Sequence, residues 1–186
     1  LPPCTDSVTD QMTLLIYPLP TSNIVLLSGD TICGGDTIRL RIDLTGTPPW
    51  TFTYSDGTTS TTVTNLYSTP YFLNTYPDSS VTYTITSLSD ANCTALPGSS
   101  NSVPVLVHPK PAVEFNWHTT LNNYEIQFHV DSSIVDLGAV GYMMLWNFGD
   151  GTFGYGHNPL HLYPGSTTFH CILTITDTNG CQNSVM

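Results

Sequence analysis

The sequence predicts an all-β protein built of tandem β-sandwiches, and three observations support this prediction. Thr, Tyr, Val and Ile, which favour strands, are interrupted throughout by Gly and Pro. Apolar and polar residues alternate over short runs, as in "TIRLRIDL", where Ile38, Leu40, Ile42 and Leu44 share one face. A cysteine-containing segment also recurs at an interval close to one sandwich domain of about 100 residues.

The recurring segment occurs three times. Residues 1–20, "LPPCTDSVTDQMTLLIYPLP", resemble residues 90–111, "DANCTALPGSSNSVPVLVHPKP". Both contain a Cys, a Ser-Val pair, an alternating apolar strand and then Pro-x-Pro. A third copy begins at residues 178–186, "TNGCQNSVM", and contains the Cys and the Ser-Val pair. Because the interval matches one sandwich, each copy is interpreted as the last strand of a module.

The Pro-x-Pro pairs mark the predicted module boundaries, because proline lacks a ladder donor and stiffens the chain into an extended form. We predict a terminal strand of a preceding module at 1–20, an immunoglobulin-sized sandwich at 21–109, and a second sandwich at 110–186 whose last strand is incomplete. Residues 9–17 should then lie as a strand against a sandwich outside residues 21–186 of the same copy.

That outside sandwich has two candidate sources. It belongs either to a longer tandem array, of which this chain is a window, or to the next copy in a head-to-tail filament. The Pro-x-Pro linkers favour the window, since they already account for a continuous stalk. The residues facing the sandwich are either Met12, Leu14 and Ile16, or Thr13, Leu15 and Tyr17.

The first module contains six strand candidates separated by turns. They are residues 23–27, 37–44, 50–55, 71–76, 81–88 and 102–108. In "SDGT", Asp56-Gly57 supplies the positive φ of a tight hairpin. In "TGTPPW", proline restricts φ just before Trp50, which we predict to be a core residue.

The second module repeats the all-β pattern. Its strand candidates are residues 112–117, 124–131, 142–148, 168–177 and 181–186. In the fourth of these, Phe169, Cys171, Leu173 and Ile175 alternate inward. Cys171 is therefore predicted to be a small buried hydrophobic residue and not a reactive thiol.

The charge balance excludes two classes of partner. Three Lys and Arg stand against 14 Asp and Glu, for a net charge of −11. Attraction to nucleic acid or to an anionic membrane is therefore disfavoured. No apolar run reaches the length of a membrane-spanning helix, and a secretion signal, if the protein has one, lies outside this sequence.

Five cysteines, without paired CxxC spacing, argue against a structural zinc site. Cys33 precedes the second strand candidate of the first module and Cys93 follows the fifth. A disulfide between them would close a loop of about 60 residues and stabilise the fold by roughly 4 kcal/mol. We predict this bond, and hence an oxidising extracellular location. The alternative is two buried free thiols in a cytosolic protein.

Two long motifs carry a family resemblance. Residues 145–163, "LWNFGDGTFGYGHNPLHLY", combine a Trp-x-Phe-Gly-Asp-Gly turn with an Asn-Pro-x-His-x-Tyr segment. Residues 165–181, "GSTTFHCILTITDTNGC", form an alternating strand that ends in Asp-x-x-Gly-Cys. In this order the motifs resemble the PKD domain, and the resemblance covers residues 110–186.

The first module, from "TICGGDTIRLRIDLTGTPPWTFTYSDGT" to "YTITSLSDANC", is similar to immunoglobulin-like repeats found beside PKD domains in large surface proteins of Bacteroidota. The resemblance implies tandem immunoglobulin-like sandwiches in an extracellular or cell-surface protein, exported by the type IX system through a separate C-terminal signal. Related PKD domains often carry an early Cys that partners the final Gly-Cys, and this sequence has none. The pairing of Cys181 therefore stays open, as does that of Cys4 and Cys171.

The central turn of the PKD-like motif is predicted to be structural. Gly149 and Gly151 allow backbone angles that other residues avoid, and the Asp150 carboxylate can accept hydrogen bonds from nearby amides. Trp146 and Phe148 share one face. The alternative, Asp150 as a calcium ligand, is disfavoured because no Asp-x-Asp-x-Asn loop accompanies it.

Other candidate sites are weaker. His157 and His161 have metal-ligand spacing, but that spacing needs a helical turn and Pro159 lies between them. No nucleophile elbow, catalytic triad pattern or phosphate-binding loop is present. We therefore predict that the chain is not an enzyme and has neither a metal site nor a cofactor.

Three short segments resemble the Asp-Ser/Thr-aliphatic acceptor of Bacteroidota O-glycosylation. They predict modification of Ser7, Thr31 and Thr37. Chance occurrence in a Thr-rich chain is the alternative.

Two functions remain. The first is a structural or adhesive repeat, acting as a stalk or filament element, whose partners are neighbouring modules or copies of the same protein. The second is a carbohydrate-binding or spacer module of a secreted polysaccharide-degrading enzyme. Aromatic residues exposed on one strand face would favour the second, and Phe153 with Tyr155 is the local pair predicted for such binding to surface glycans.

Overall fold

The computed structural model describes residues 12–131 and 141–186. Within these residues it contains fifteen strands and no helix, so the predicted all-β fold is confirmed. The strands are β1 (Ser22–Leu26), β2 (Thr31–Cys33), β3 (Ile38–Leu44), β4 (Trp50–Ser55), β5 (Ser60–Leu66), β6 (Tyr71–Thr75), β7 (Val81–Ser89), β8 (Ser102–His108), β9 (Phe115–Thr119), β10 (Glu125–Val130), β11 (Met143–Asn147), β12 (Phe153–Tyr155), β13 (Leu160–Leu162), β14 (Ile172–Thr176) and β15 (Gln182–Val185).

Strands β1–β8 form two sheets, one of three strands in the order β1-β3-β6 and one of five in the order β2-β8-β7-β4-β5. The period-two pattern of β3 is realised, because its four aliphatic residues are buried while the residues between them are exposed or half-buried. Trp50 is buried as predicted, and its indole N–H donates to the carbonyl of Thr45 at 3.0 Å. Phe52 on β4 packs edge-on against Tyr71 on β6.

Strands β9–β15 form two further sheets, of three strands in the order β13-β10-β9 and of four in the order β12-β11-β14-β15. Their alternating inward residues make one apolar core. The buried members of this core are Phe128, Val130, Met144, Trp146, Phe148, Tyr163, Leu173 and Ile175.

The described residues divide into two compact units. The first holds the residues up to Val25 together with Arg41–Phe72 and Tyr83–Val103, and the second holds Leu26–Leu40, Leu73–Thr82 and Pro104–Met186, apart from the residues outside the described ranges. The module limits of 21–109 and 110–186 stay a prediction.

The strand limits predicted from the sequence agree best with the structure where apolar and polar residues alternate strongly. Strands β4 and β8 begin and end where predicted. The sequence did not predict β5, because its seven residues are mostly polar and exposed and carry no apolar face. The candidate strand 168–177 is shorter in the structure, since β14 begins only at Ile172.

Residues 12–19, which precede β1, are mostly apolar and exposed. Residues 12–19 belong to no strand, and Met12, Leu14 and Ile16 are 85%, 67% and 77% exposed. Residues 9–11 lie outside the described part, so the location of the 9–17 strand stays a prediction. Among the residues the structure describes, no helix has the length and apolar character needed to span a membrane.

A disulfide joins Cys33, the last residue of β2, to Cys181, just before β15, with Cα atoms 5.5 Å apart. The predicted bond between Cys33 and Cys93 is therefore wrong, and Cys93 is a free, half-buried thiol. Cys33 does form a disulfide, as predicted, but its partner is Cys181 and not Cys93.

The physical reason is the length of β7, which separates the two cysteines of the predicted pair. β2 runs parallel to β8, with Ile32 opposite Val107, and the Val107 amide donates to the hydroxyl of Ser80, just before β7. Cys93 lies at the other end of β7, where its carbonyl accepts from the Asp90 amide. Nine strand residues span about 30 Å, far beyond the reach of a disulfide.

Candidate functional site

The hairpin between β11 and β12 contains the predicted turn residues, and we call residues 147–152 the Asp150 turn. The Asn147 side chain accepts from the Gly149 amide at 3.0 Å. The Asp150 carboxylate accepts from Thr152 twice, from the amide at 3.0 Å and from the hydroxyl at 2.6 Å. Gly149 and Gly151 have φ of +83° and +92°. The turn is therefore built from local hydrogen bonds and from two glycines in the left-handed region.

His161 on the edge strand β13 completes this cluster, and sequence reasoning missed its role. Its Nε2 lies 2.8 Å from Oδ2 of Asp150. Its ring stacks on Phe148, with centroids 3.9 Å apart and planes 2° from parallel, and meets Tyr163 edge-on at 4.5 Å. The Tyr163 hydroxyl in turn donates to the carbonyl of Phe148 at 3.1 Å. His161 therefore connects the turn to the core.

A signal for this contact was present in the sequence. In the Asn-Pro-x-His-x-Tyr segment, His161 and Tyr163 are two residues apart, which places them on the same face of an extended strand. The sequence does not say what that face contacts. The pairing of β13 with β10, with Ile126 opposite His161, brings the imidazole to Phe148.

The electrostatics of the Asp150 turn favour a permanent carboxylate. The hydrogen bond from the Thr152 hydroxyl, followed by those from His161 and from the Thr152 amide, lowers the pKa of Asp150 to about 2, although burial opposes this shift. The Asp150 side chain is only 5% exposed. An ionised carboxylate can only accept, so Nε2 of His161 carries the proton that it donates. The carboxylate is thus occupied by protein donors and is not open to a substrate.

Two other ionisable groups near the core are held neutral. Burial raises the pKa of the Tyr163 hydroxyl to about 12 and that of the Cys171 thiol to about 11. Cys171 is therefore protonated at neutral pH and a poor nucleophile, as expected for the small apolar residue that the sequence predicts. Across the two described ranges, no three His, Cys, Asp or Glu side chains gather as a metal site would require.

A second feature of β9–β15 is an open groove of about 380 Å³, which we call the aromatic groove. Inward-facing residues of β9 and β10 form one wall, and residues 165–171, which lead into β14, form the other. Phe115 and Trp117 lie on the first wall and Phe169 and Cys171 on the second. Trp117 is 61% exposed, an unusual state for an indole on the inner face of a sandwich.

The predicted aromatic pair is also exposed. Phe153 and Tyr155 lie on the edge strand β12, separated by Gly154, and are 60% and 71% exposed. Because they alternate along the strand, both rings are on the same face. Among the predicted glycosylation sites, Thr31 and Thr37 are exposed and Ser7 lies outside the described residues.

Comparison with known proteins points to the second half of the chain. Residues 108–186 match the family model described as PKD domain. A segment of 61 residues is 45% identical to Collagenase ColA of Bacillus cereus, which amounts to 33% of this chain and 6% of the collagenase. The chain therefore spans only a small part of that relative.

Two solved structures resemble the chain weakly. One is a bacterial ice-binding adhesin of 1.5 MDa, with 13% identity, a TM-score of 0.37, and coverage of 89% of this chain and 62% of the other. The other is the human OSCAR ligand-binding domain, with 10% identity, a TM-score of 0.32, and coverage of 91% and 95%. At such TM-scores neither likeness carries an argument. The family match covers less than half of the chain, and the Asp150 turn lies inside it.

Proposed function

We propose that the chain is a structural and adhesive repeat region of a large extracellular or cell-surface protein, acting as a stalk or filament element. The observation that carries the proposal is the Cys33–Cys181 disulfide, which joins residues 148 positions apart. Tension applied at the two ends of the chain would pass through this bond and bypass the chain between the cysteines. Most of the fifteen strands would thereby be protected from extension, as a stalk under tension requires.

Three further observations support a non-catalytic extracellular role. Disulfides persist mainly in oxidising compartments. The polar groups of the Asp150 turn are used to hold the fold, and the Cys171 thiol is protonated. Residues 108–186 match the PKD domain. Partners are then neighbouring modules or further copies of the protein, with no cofactor.

Single-molecule pulling from the two ends tests the mechanical role. In the oxidised chain, extension should be limited to the residues outside the disulfide loop. Reduction should release about 500 Å of additional contour length, since 148 residues extend by about 3.3–3.6 Å each. The Cys181→Ser variant should behave like the reduced chain, while Cys93→Ser, which removes a free thiol, should not. Full extension of the oxidised chain would contradict the proposal.

We also propose a source, an export route and a modification for this protein. The sequence resemblance of the first module supports a surface protein of Bacteroidota exported by the type IX system. Exposure of Thr31 and Thr37 supports O-glycosylation at these residues, with Ser7 as a third predicted site. An intact mass of native material equal to that of the unmodified chain would exclude the glycans.

A second candidate function is binding of polysaccharide as an accessory module of a secreted enzyme. The observation that favours it is the exposed pair Phe153 and Tyr155 on one face of β12. Flat aromatic side chains on one strand face can stack against sugar rings. The matching relative, a collagenase, adds insoluble collagen as a further matrix to be tested.

Pull-down with insoluble polysaccharides and collagen separates the two functions. A stalk should not bind, whereas an accessory module should bind and lose binding in the Phe153→Ala/Tyr155→Ala double variant. Tyr67→Ala is the matched control, because Tyr67 is as exposed as Tyr155 but lies after β5, far from β12 in the chain.

A further inference from the structure

Two histidines meet across neighbouring strands on the outer face of the sheet β13-β10-β9. His118 lies on β9 opposite Gln127, and His129 lies on β10 two residues beyond Gln127. Residues that are opposite or two apart point to the same side of a sheet, so both imidazoles leave the face that is turned away from buried Phe128 and Val130. The two rings stack, with centroids 5.1 Å apart and planes 13° from parallel.

A hydrogen bond determines which nitrogen of His129 can bind a ligand. Nδ1 of His129 lies 3.2 Å from Oδ1 of Asn158. An amide oxygen only accepts, so Nδ1 carries the proton and Nε2 of the neutral ring keeps its lone pair. Histidines that bind metals have this arrangement, in which one ring nitrogen donates to an oxygen and the other binds the ion.

The pair can converge on one ion with a small movement. Nitrogen ligands lie about 2.0–2.1 Å from a zinc ion, so two of them on one tetrahedral ion are about 3.3 Å apart. His118 is exposed, whereas His129 is half-buried and bonded to Asn158. An exposed side chain changes rotamer rapidly. We therefore expect rotation of His118 to direct both lone pairs to the same point.

The charge around the pair favours a cation. Residues 111–186 contain no Lys or Arg. Asp131 follows His129 by two residues, and its amide donates to the carbonyl of Glu114 at 3.1 Å. Both acidic residues therefore lie on the same face as the histidines. A divalent cation at this face is attracted by two carboxylates and meets no fixed positive charge from residues 111–186.

The donor atoms select the kind of metal. Imidazole nitrogen suits Zn²⁺, Ni²⁺ and Cu²⁺, whereas Ca²⁺ and Mg²⁺ prefer oxygen. Among the described residues, no third His, Cys, Asp or Glu joins the pair as a ligand. Two protein ligands make an open site that water completes, and its affinity is lower than that of a four-ligand structural zinc site. The Irving–Williams order predicts the tightest binding for Cu²⁺.

We propose that His118 and His129 bind a divalent transition-metal ion between β9 and β10, with Asn158 as the positioning residue for His129. Spacing along the chain did not predict this pair, because the two histidines are eleven residues apart and strand register brings them together. The ion joins two strands of one sheet, and it stabilises the fold because the folded chain binds it more tightly than the unfolded one. This property goes beyond the proposed structural role and does not depend on it.

Calorimetric titration of the 186-residue chain with Ni²⁺ tests the site. Both free thiols are first replaced, as Cys93→Ser and Cys171→Ala, so that sulfur cannot bind the ion, and circular dichroism checks that the fold is kept. We expect one Ni²⁺ per chain. His118→Asn and His129→Asn should each weaken binding about tenfold or more, because only one imidazole remains. His157→Asn is the matched control, since His157 is exposed but lies outside the pair, and it should bind Ni²⁺ as the parent does.

Two variants of Asn158 test its positioning role. Asn158→Ala releases the His129 ring and should weaken Ni²⁺ binding about tenfold. Asn158→Asp restores an acceptor for Nδ1 and should bind at least as tightly as the parent, because a carboxylate raises the basicity of the ring. Equal losses in the two variants would contradict this role.

Spectroscopy and thermal unfolding identify the ligands and the effect on the fold. The electron paramagnetic resonance spectrum of bound Cu²⁺ should show two imidazole nitrogens in the thiol-free parent and one in either single-histidine variant. At a Ni²⁺ concentration about a hundredfold above Kd, the unfolding equilibrium constant of the parent should fall about a hundredfold. The variant with both histidines replaced should show no such shift.

Several outcomes would overturn the proposal. Unchanged Ni²⁺ affinity in His118→Asn or His129→Asn would exclude binding by the pair, as would an equal loss in His157→Asn. Binding of Ca²⁺ as strong as that of Ni²⁺ would show that carboxylates alone attract the ion. None of these results bears on the stalk function, which the pulling experiment decides separately.

Discussion

Two Asp-Gly-Thr turns in this chain have the same local bonds but different surroundings. The first, at residues 55–60, joins β4 to β5, and we call it the Asp56 turn. Its carboxylate accepts from the amide and hydroxyl of Thr58 at 2.8 and 2.9 Å, as that of Asp150 does from Thr152. The Asp56 carboxylate accepts from residues within three positions of it, whereas Asp150 also accepts from His161, eleven residues away.

The same local motif forms an isolated hairpin tip in one place and a tip connected to the core in the other. Asp56 organises a hairpin tip whose glycine, Gly57, has open space around it. Asp150 organises a similar tip but also holds the imidazole that stacks on buried Phe148. Local hydrogen bonds are therefore enough to form the turn, and the additional contact makes the second turn part of the core. Changes at Gly149, His161 and Asp150, which act on contacts with the core, should accordingly cost more stability than changes at the Asp56 turn.

The largest expected difference in the free energy of unfolding is between glycine variants of the two turns. A Cβ on Gly149 would lie 2.5 Å from the backbone oxygen of His170 and 2.8 Å from its nitrogen, at φ +83°. Gly149→Ala should lower the free energy of unfolding by about 3 kcal/mol or more, from backbone strain together with overlap. Gly57→Ala and Gly151→Ala have positive φ but no atom within 4 Å, and should cost about 1 kcal/mol. Urea titration followed by tryptophan fluorescence gives the values, and equal losses at all three positions would contradict the comparison.

The second-largest expected loss of stability comes from replacing His161. His161→Leu removes a hydrogen bond to a nearly buried carboxylate and should cost about 2 kcal/mol. His157→Leu is the control, because His157 is exposed and is four residues earlier in the same segment. Thermal unfolding by circular dichroism measures both. Equal stability of the two variants would mean that the imidazole contact adds nothing to the turn.

The two aspartates should differ by a smaller amount. Asp56→Ala removes bonds to its own turn and should cost about 1 kcal/mol. Asp150→Ala removes the two bonds from Thr152 and also leaves the half-buried His161 without its acceptor, so it should cost about 2 kcal/mol. A double-mutant cycle with His161→Leu should show coupling for Asp150 and none for Asp56.

The smallest expected effect is the dependence on pH. The pKa of Asp150 falls to about 2 in the folded chain, below the unfolded value of about 3.9, so its contribution to stability is complete above pH of about 4. It is lost as pH falls from about 4 to about 2, and we expect about 1 kcal/mol after solvent screening. Hydrogen bonds from the Thr59 and Thr58 amides also lower the pKa of Asp56, so both turns weaken in acid.

Acid unfolding of Asp150→Asn measures the contribution of this carboxylate. This variant should lose less stability between pH 4 and 2 than the unmodified chain, because the group that titrates is gone. Asp56→Asn should reduce the acid loss in the same way. Identical pH profiles for all three chains would show that neither carboxylate links stability to pH.

Much of the fold could be predicted because its determinants are local. β4 and β8 coincide with their predicted limits, since strong alternation and adjacent turn residues define a strand without reference to its neighbours. β5 could not be predicted, because an exposed edge strand of polar residues is stabilised by pairing with β4 and has no apolar face of its own. The six residues of the Asp150 turn lie together for the same local reason, since adjacent positions need no tertiary contact to meet.

The sequence by itself determined the alternation that buries one face of each strand, the repeated closing segment, and the Asp-Gly-Thr turns. These depend on residues within a few positions of each other. Only the tertiary structure decided that Cys33 bonds to Cys181, because strand direction, and not order along the chain, determines which end of β7 each cysteine occupies. The tertiary structure also brought His161 onto Phe148. Contacts between distant segments depend on register and pairing across sheets, and a single sequence pattern carries no information about either.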